Sequence, residues 1–235
     1  MLSRPVKDEI KIIVVGQCNT GKTSFCHLWT KNEFSDKYKA TVMTDFNYKI
    51  YQYMGDLYKI QIWDIAGQDR NIGVTKILTK DSHACLIFCD ITNKKTLDDT
   101  LKWKKEIDEN SRFKDGSLLP CVLIQNKIDL AKQNEINDDA YFKSFSNRNK
   151  FLKCFRTSVK KKIGVNEVMD YIIGHIIEKL KVINQKDEIP KINEKHPSIF
   201  YRLSAMSQKE REEYIKSGNC CTNIQNNKDN KDKLF

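Results

Sequence analysis

Apolar residues fall into six short runs separated by longer amphipathic stretches. The runs cover residues 10–16, 46–54, 57–65, 84–91, 121–128 and 151–158, and most are rich in the β-branched and aromatic side chains that strands favour. Helices are predicted over 22–32, 94–110, 137–148 and 165–181. In the last of these, Val165, Val168, Met169, Ile172, Ile173, Ile176 and Leu180 form one stripe suited to packing on a sheet. Strands alternating with helices predict an α/β fold. Only Gly55 and Asp56 separate the second and third runs, so those two should form an antiparallel hairpin. The other strands need helical crossovers and should run parallel. The expectation is a six-stranded, mixed, mostly parallel sheet with one antiparallel edge strand and helices on both faces.

Beyond about residue 182 the pattern is lost. The chain turns to Lys, Asn, Asp and Glu with two Pro, and 226–233 reads NNKDNKDK. Such a segment cannot bury enough apolar surface to offset its chain entropy. Residues 1–181 are therefore read as one domain and 182–235 as a flexible polar tail, with a short helix around 205–217. A length of 235 residues suits one sizeable domain with a tail better than two domains.

Charge and cysteines narrow the class. The formal charge is +10, but the Lys residues are spread along the chain among acidic neighbours, which argues against a nucleic-acid partner. The eight Cys have no metal-ligand spacing and read as reduced, mostly packed thiols. No run approaches eighteen consecutive apolar residues, and the N-terminus has neither an apolar leader nor a Gly after Met1. The expected location is cytoplasmic.

The chemistry begins where the first strand meets the first helix. Gly16-Gln17-Cys18-Asn19-Thr20-Gly21-Lys22-Thr23 satisfies G-x-x-x-x-G-K-S/T in its required setting of strand, loop and helix. Backbone N–H groups and the positive helix end would cradle phosphates, Lys22 would neutralise β/γ charge, and the Thr23 hydroxyl would enter the shell of Mg²⁺. The base is specified elsewhere, by Asn126-Lys127-Ile128-Asp129 after the fifth strand. A carboxylate at Asp129 accepts both N1–H and N2–H of guanine, whereas adenine has no N1 proton. Such a mismatch can reject the wrong base by factors on the order of 10⁴ to 10⁵. Between these motifs, Trp63-Asp64-Ile65-Ala66-Gly67-Gln68-Asp69-Arg70 closes the third strand. Asp64 can hold a water of the Mg²⁺ shell, Gly67 lets backbone approach the γ-phosphate, and Gln68 can orient the attacking water.

These segments, with Ala40 to Phe46 and Thr157 to Lys160, resemble in order and spacing the five nucleotide motifs of Ras-superfamily GTPases over roughly residues 10–181. The form of 63–68 and the Asp45-Phe46 pair look like Rab. Likeness in 101–108 and 115–127 extends to the Rab subgroup serving lysosome-related organelles. The resemblance implies a P-loop GTPase fold that binds GTP or GDP with Mg²⁺, hydrolyses GTP slowly and switches in vesicle or organelle traffic. It implies that Asn19, Thr20, Gly21, Lys22, Thr23 and Ser24 hold phosphates and that Gln68 is catalytic. It further implies that Thr41 joins Thr23 on the metal through switch I; Thr44 is the rival, but the Asp45-Phe46 register favours Thr41. Phe34 then lies against guanine or, on the alternative reading, is a core Phe. Ser158 and Val159 approach the base, with the stem of Lys160 over one side of the ring and Lys127 over the other. Partners implied are an exchange factor, a GTPase-activating protein and effectors on switch I (34–46) and switch II (66–80), around a monomer on the cytosolic face of endosomal or lysosome-related membranes.

The chain departs from the family pattern in three places. Asn19 replaces a usual Gly. In switch II, Asn71 replaces a Phe and Leu78-Thr79 replace a Tyr pair, leaving Phe46, Trp63 and Leu78 as the effector triad. Finally, Cys220 and Cys221 are followed by fourteen residues (222–235) instead of closing the chain, so prenylation cannot be assumed. The rival readings are a GTP-binding scaffold with little turnover and, more remotely, an ATP-dependent P-loop enzyme.

Overall fold

The computed structural model describes residues 5–37, 41, 44–67, 78–131 and 138–187. Gln68, most of switch II, the expected helix start at 137, the tail from 188 and Cys220-Cys221 lie outside the described residues.

The strands are β1 (Val6–Gly16), β2 (Thr44–Tyr53), β3 (Asp56–Ile65), β4 (Ala84–Asp90), β5 (Cys121–Asn126) and β6 (Lys153–Arg156). The helices are α1 (Lys22–Lys31), α2 (Lys94–Asn110), α3 (Asp139–Arg148) and α4 (Val165–Asp187). The strands form one sheet in the order β2-β3-β1-β4-β5-β6. β2 and β3 pair antiparallel from Thr44 opposite Ile65 to Tyr53 opposite Asp56, and all other pairs are parallel. The predicted six-stranded mixed sheet is therefore present, with β2 as its antiparallel edge.

Every residue of β4 and β5 is buried. Strands without an exposed side must be covered on both faces, which is why they read as unbroken apolar runs. The predicted stripe of α4 is buried along its whole length and joins the sheet core.

Several boundaries moved for local reasons. β1 starts at Val6 because exposed Lys7 and Glu9 pair with Asp56 and Lys59 of β3, a register that hydropathy does not reveal. β5 stops at Asn126 because Lys127 adopts φ 66°, turning the chain into a 3₁₀ turn over Ile128–Leu130. α1 ends at Lys31 with Asn32 left-handed at φ 58°. Asn93 and Asp138 cap α2 and α3 by accepting from the N–H groups of Lys95 and Ala140. α4 continues to Asp187, past the expected end at 181. The carboxyl ends of β1, β3 and β5 open toward one cavity, as expected for parallel sheets.

Candidate functional site

β1 ends at Gly16, and the chain turns through Asn19 and Gly21 before α1 begins. Gly21 sits at φ 92°, and a Cβ there would lie 2.2 Å from Asn126 Nδ2, so only glycine fits. It supplies no side-chain cap, which leaves the leading N–H groups of α1 open to an anion. Asn19, at φ 60°, holds the left-handed conformation that Asn tolerates better than most residues, which explains how the loop keeps its shape without the family's usual Gly. Lys22 is 6% exposed, and its ammonium donates to the carbonyls of Gly16 (2.8 Å) and Gln17 (3.0 Å). Burial lowers its pKa, and nearby Asp64 partly opposes that shift.

Beside this loop three side-chain oxygens converge. Thr23 Oγ1 lies 2.7 Å from Thr41 Oγ1 and donates to Asp64 Oδ2 in a short contact. Thr44, the rival for Thr41, also lines the cavity, from the first position of β2 opposite Ile65. Asp64 is fully buried, and burial raises its pKa to about 6, with the Thr23 hydroxyl and Lys22 pulling the other way. Its second oxygen has no hydrogen-bond partner among the described residues. A buried carboxylate with an orphaned oxygen, next to two hydroxyls, suits a small hard cation, so the residues fit Mg²⁺. Gly67 closes the wall: a Cβ there would come within 2.4 Å of Cys18 N.

At the far end, Asn126 ties three segments together. Its Nδ2 donates to Thr20 O (2.9 Å), and its Oδ1 accepts from Thr157 Oγ1 (3.0 Å) and Val159 N (3.2 Å). Asp129 Oδ1 accepts from Ser158 Oγ at 2.5 Å. Lys127 pairs with Asp90 at 2.7 Å, and Lys160 with Asp36 at 3.0 Å.

The cavity lined by these segments is about 1180 Å³. Of the residues singled out in the sequence, Asn19, Gly21, Lys22, Thr23, Ser24, Phe34, Thr41, Gly67, Asn126, Lys127, Asp129, Val159 and Lys160 line it. Thr20, Asp64 and Ser158 are buried and reach it through the hydrogen bonds just given. Phe34 both lines the cavity and packs partly on the core.

Sequence reasoning missed several contributors. Thr157 buttresses Asn126, and Asp90 holds Lys127. His27 and Asn47 both bond Asp45 Oδ2, at 2.9 and 3.0 Å. Thr157 was signalled by adjacency to the last motif, and Asn47 lies only two residues from Asp45, whereas His27 and Asp90 are far from their partners in sequence.

On the outer side of the sheet, Phe46 meets Trp63 edge-on with ring centroids 5.0 Å apart, and Lys11 Nζ stands 4.7 Å over Trp63. Leu78 is half-buried against the core. Along β2, Phe46, Tyr48 and Ile50 are 45%, 58% and 46% exposed.

Comparison with known proteins agrees with this geometry. A family model described as the Ras family matches residues 11–178. Ras-related protein Rab-7L1 of Homo sapiens is 36% identical over 164 residues, 69% of this chain and 80% of that protein. Ras-related protein Rab-32C of Dictyostelium discoideum is 32% identical over 217 residues, 90% of this chain and 88% of that protein. Ras-related protein Rab-32 of Mus musculus is 32% identical over 168 residues, 71% and 75% respectively. Rab GTPases act with regulators and effectors, peripherally at endomembranes. Among the described residues no helix is long and apolar enough to cross a membrane. With its strand-to-helix phosphate loop, its oxygen cluster and these relatives, the chain belongs to the Ras family as a Rab-like small GTPase that binds GTP and GDP with Mg²⁺, hydrolyses GTP and switches in membrane traffic.

Proposed function

We propose that the cavity holds the nucleotide with its phosphates over Asn19–Ser24 and its base between Lys127 and Lys160. The observation that carries this reading is the meeting of Thr23, Thr41 and buried Asp64 beside Lys22, stitched by Asn126 to the base end. Lys22 neutralises β/γ-phosphate charge from a buried position where its field is little screened. Thr23 and Thr41 would contribute hydroxyl oxygens to Mg²⁺, and Asp64 would help hold it by way of a water of its shell. Mg²⁺, when bound, neutralises charge developing on the phosphate oxygens. Gln68 orients the water whose oxygen bonds to the γ-phosphorus while the β–γ bridging bond breaks. Asp129 accepts the guanine N1–H and N2–H, and Phe34, Ser158 and Val159 close the base pocket.

In this reading residues 1–181 are the GTP-binding domain, with α4 running on to Asp187, and the rest of 182–235 is a polar tail. The protein is a monomer, and its exchange factor, activating protein and effectors engage switch I and switch II, the effectors through Phe46, Trp63 and Leu78. Its membranes are endosomal or lysosome-related.

Base specificity tests the site. Asp129→Asn should weaken GTP and favour xanthosine triphosphate, whose 2-oxo group offers an acceptor where guanine offers a donor. Competition binding of both nucleotides to wild type and variant measures this, and an unchanged GTP preference removes Asp129 from the base pocket.

A further inference from the structure

A contact outside the nucleotide motifs grips the phosphate loop from behind. Asp99 on α2 is 2% exposed; its Oδ2 accepts from Gln17 Nε2 at 2.8 Å, and its Oδ1 pairs with the Lys102 ammonium at 2.8 Å. The Lys102 side chain is 68% exposed, so that ion pair alone is weak recompense for burying a carboxylate. The charge-assisted bond to Gln17 is one of the contacts that hold this buried carboxylate in place.

Gln17 stands at a junction. Its carbonyl accepts from both Thr20 Oγ1 (2.9 Å) and Lys22 Nζ (3.0 Å). A Cβ on Gly67 would lie 2.7 Å from Gln17 C and 2.4 Å from Cys18 N, so the first residues of switch II press on the same peptide. An ammonium has three N–H groups. Two of those on Lys22 go to Gly16 O and Gln17 O, and the orientation of these carbonyls sets where the third is aimed. Gly16, at φ 138°, gives the loop a pliant start, which the side-chain bond from α2 restrains.

We propose that Gln17, held by Asp99, is a positioning residue for the phosphate loop: it sets the aim of Lys22 and thereby the rate at which nucleotide leaves. The proposal rests on the reading that residues 16–23 hold the phosphates. Breaking the bond loosens the Gln17–Cys18 peptide and speeds release, while the fold persists through the sheet core. Because the residues that hold Gln17 are on α2, movement of that helix is felt at the nucleotide without any contact to it.

The test uses Gln17→Glu, which sets two carboxylates against each other, and the double variant Gln17→Glu with Asp99→Asn. In the double variant the new amide donates to the new carboxylate, restoring the bond with reversed polarity. Release of a fluorescent GDP analogue in Mg²⁺ buffer should be about tenfold faster in Gln17→Glu, the equivalent of one lost polar contact, and return to within about threefold of wild type in the double variant. Hydrogen exchange in the peptide from Gly16 to Lys22 should follow the same order in nucleotide-free protein. That readout judges the tether even if the chain bound no GDP, an outcome that would refute the phosphate reading alone. If Gln17→Glu does not fold, near-isosteric Asp99→Asn serves instead, with release and loop exchange about threefold faster because a neutral acceptor is weaker. Wild-type release and loop exchange in the single variant, or a double variant as fast as Gln17→Glu, overturns the proposal.

Discussion

Replacing Asn126 with Ala is the sharpest test of how the site is assembled. The side chain is 2% exposed and makes three hydrogen bonds, one to the phosphate loop and two to the segment after β6. Each contributes about 1 kcal/mol net, and their loss strands Thr20 O, the Thr157 hydroxyl and Val159 N–H in a buried place. The sum is about 3 kcal/mol, which in urea unfolding of the Mg²⁺·GDP-bound chain lowers the midpoint by roughly 1.5 M at an m-value near 2 kcal/mol/M. Thr157→Val removes one bond of the three while keeping the side chain's shape, so it should cost about 1 kcal/mol. Asn126→Asp should be worse than Asn126→Ala, because it faces Thr20 O with a buried carboxylate oxygen instead of a donor. An Asn126→Ala midpoint equal to wild type, or Thr157→Val as damaging as Asn126→Ala, would refute the three-way tie.

Two further outcomes are expected. Intrinsic GTP hydrolysis should be within about tenfold of 10⁻⁴ to 10⁻³ s⁻¹, since no arginine finger is supplied in cis, and Gln68→Leu should slow it while leaving GDP affinity nearly intact; equal single-turnover rates would remove Gln68 from the reaction. Burial lowers the His83 pKa to about 4, and Nδ1 accepts the Lys11 N–H at 3.1 Å, so the ring is held neutral. The unfolded chain then takes up this proton first: the contribution is complete above about pH 6.5 and falls toward pH 4, by about 2 kcal/mol at pH 4.5. His83→Asn, which keeps an acceptor without titrating, should flatten that part of the urea-midpoint profile, and an unchanged slope counts against the assignment.

Much of the fold was legible because burial on both faces writes strands as unbroken apolar runs, as in β4 and β5, and because Gly55 marks a tight turn, although the turn falls on Met54-Gly55 and Asp56 already pairs opposite Tyr53. Polar strand ends were not legible: Lys7 and Glu9 extend β1 only because β3 offers Asp56 and Lys59 across the register. Motifs gave the site residues as separate segments, each with its own chemistry. Their joints were hidden, since Asn126 lies 106 residues from Thr20, and Gln17 lies 82 from Asp99. Backbone conformation was partly legible, because Asn at position 19 is a residue type that accepts the φ of 60° found there.

The open edge at β2 has a consequence for how this sequence can drift. Phe46, Tyr48 and Ile50 form an apolar row on a strand that, among the described residues, has one side unpaired, and such a row invites self-association whenever nothing covers it. A Lys at position 48 or 50 would scarcely disturb the core, since both side chains already stand in solvent. It would make the protein easier to keep dispersed. It would also erase apolar surface continuous with the Phe46–Trp63 contact, so colloidal stability and recognition compete for the same atoms, and a lineage that improves one surrenders part of the other.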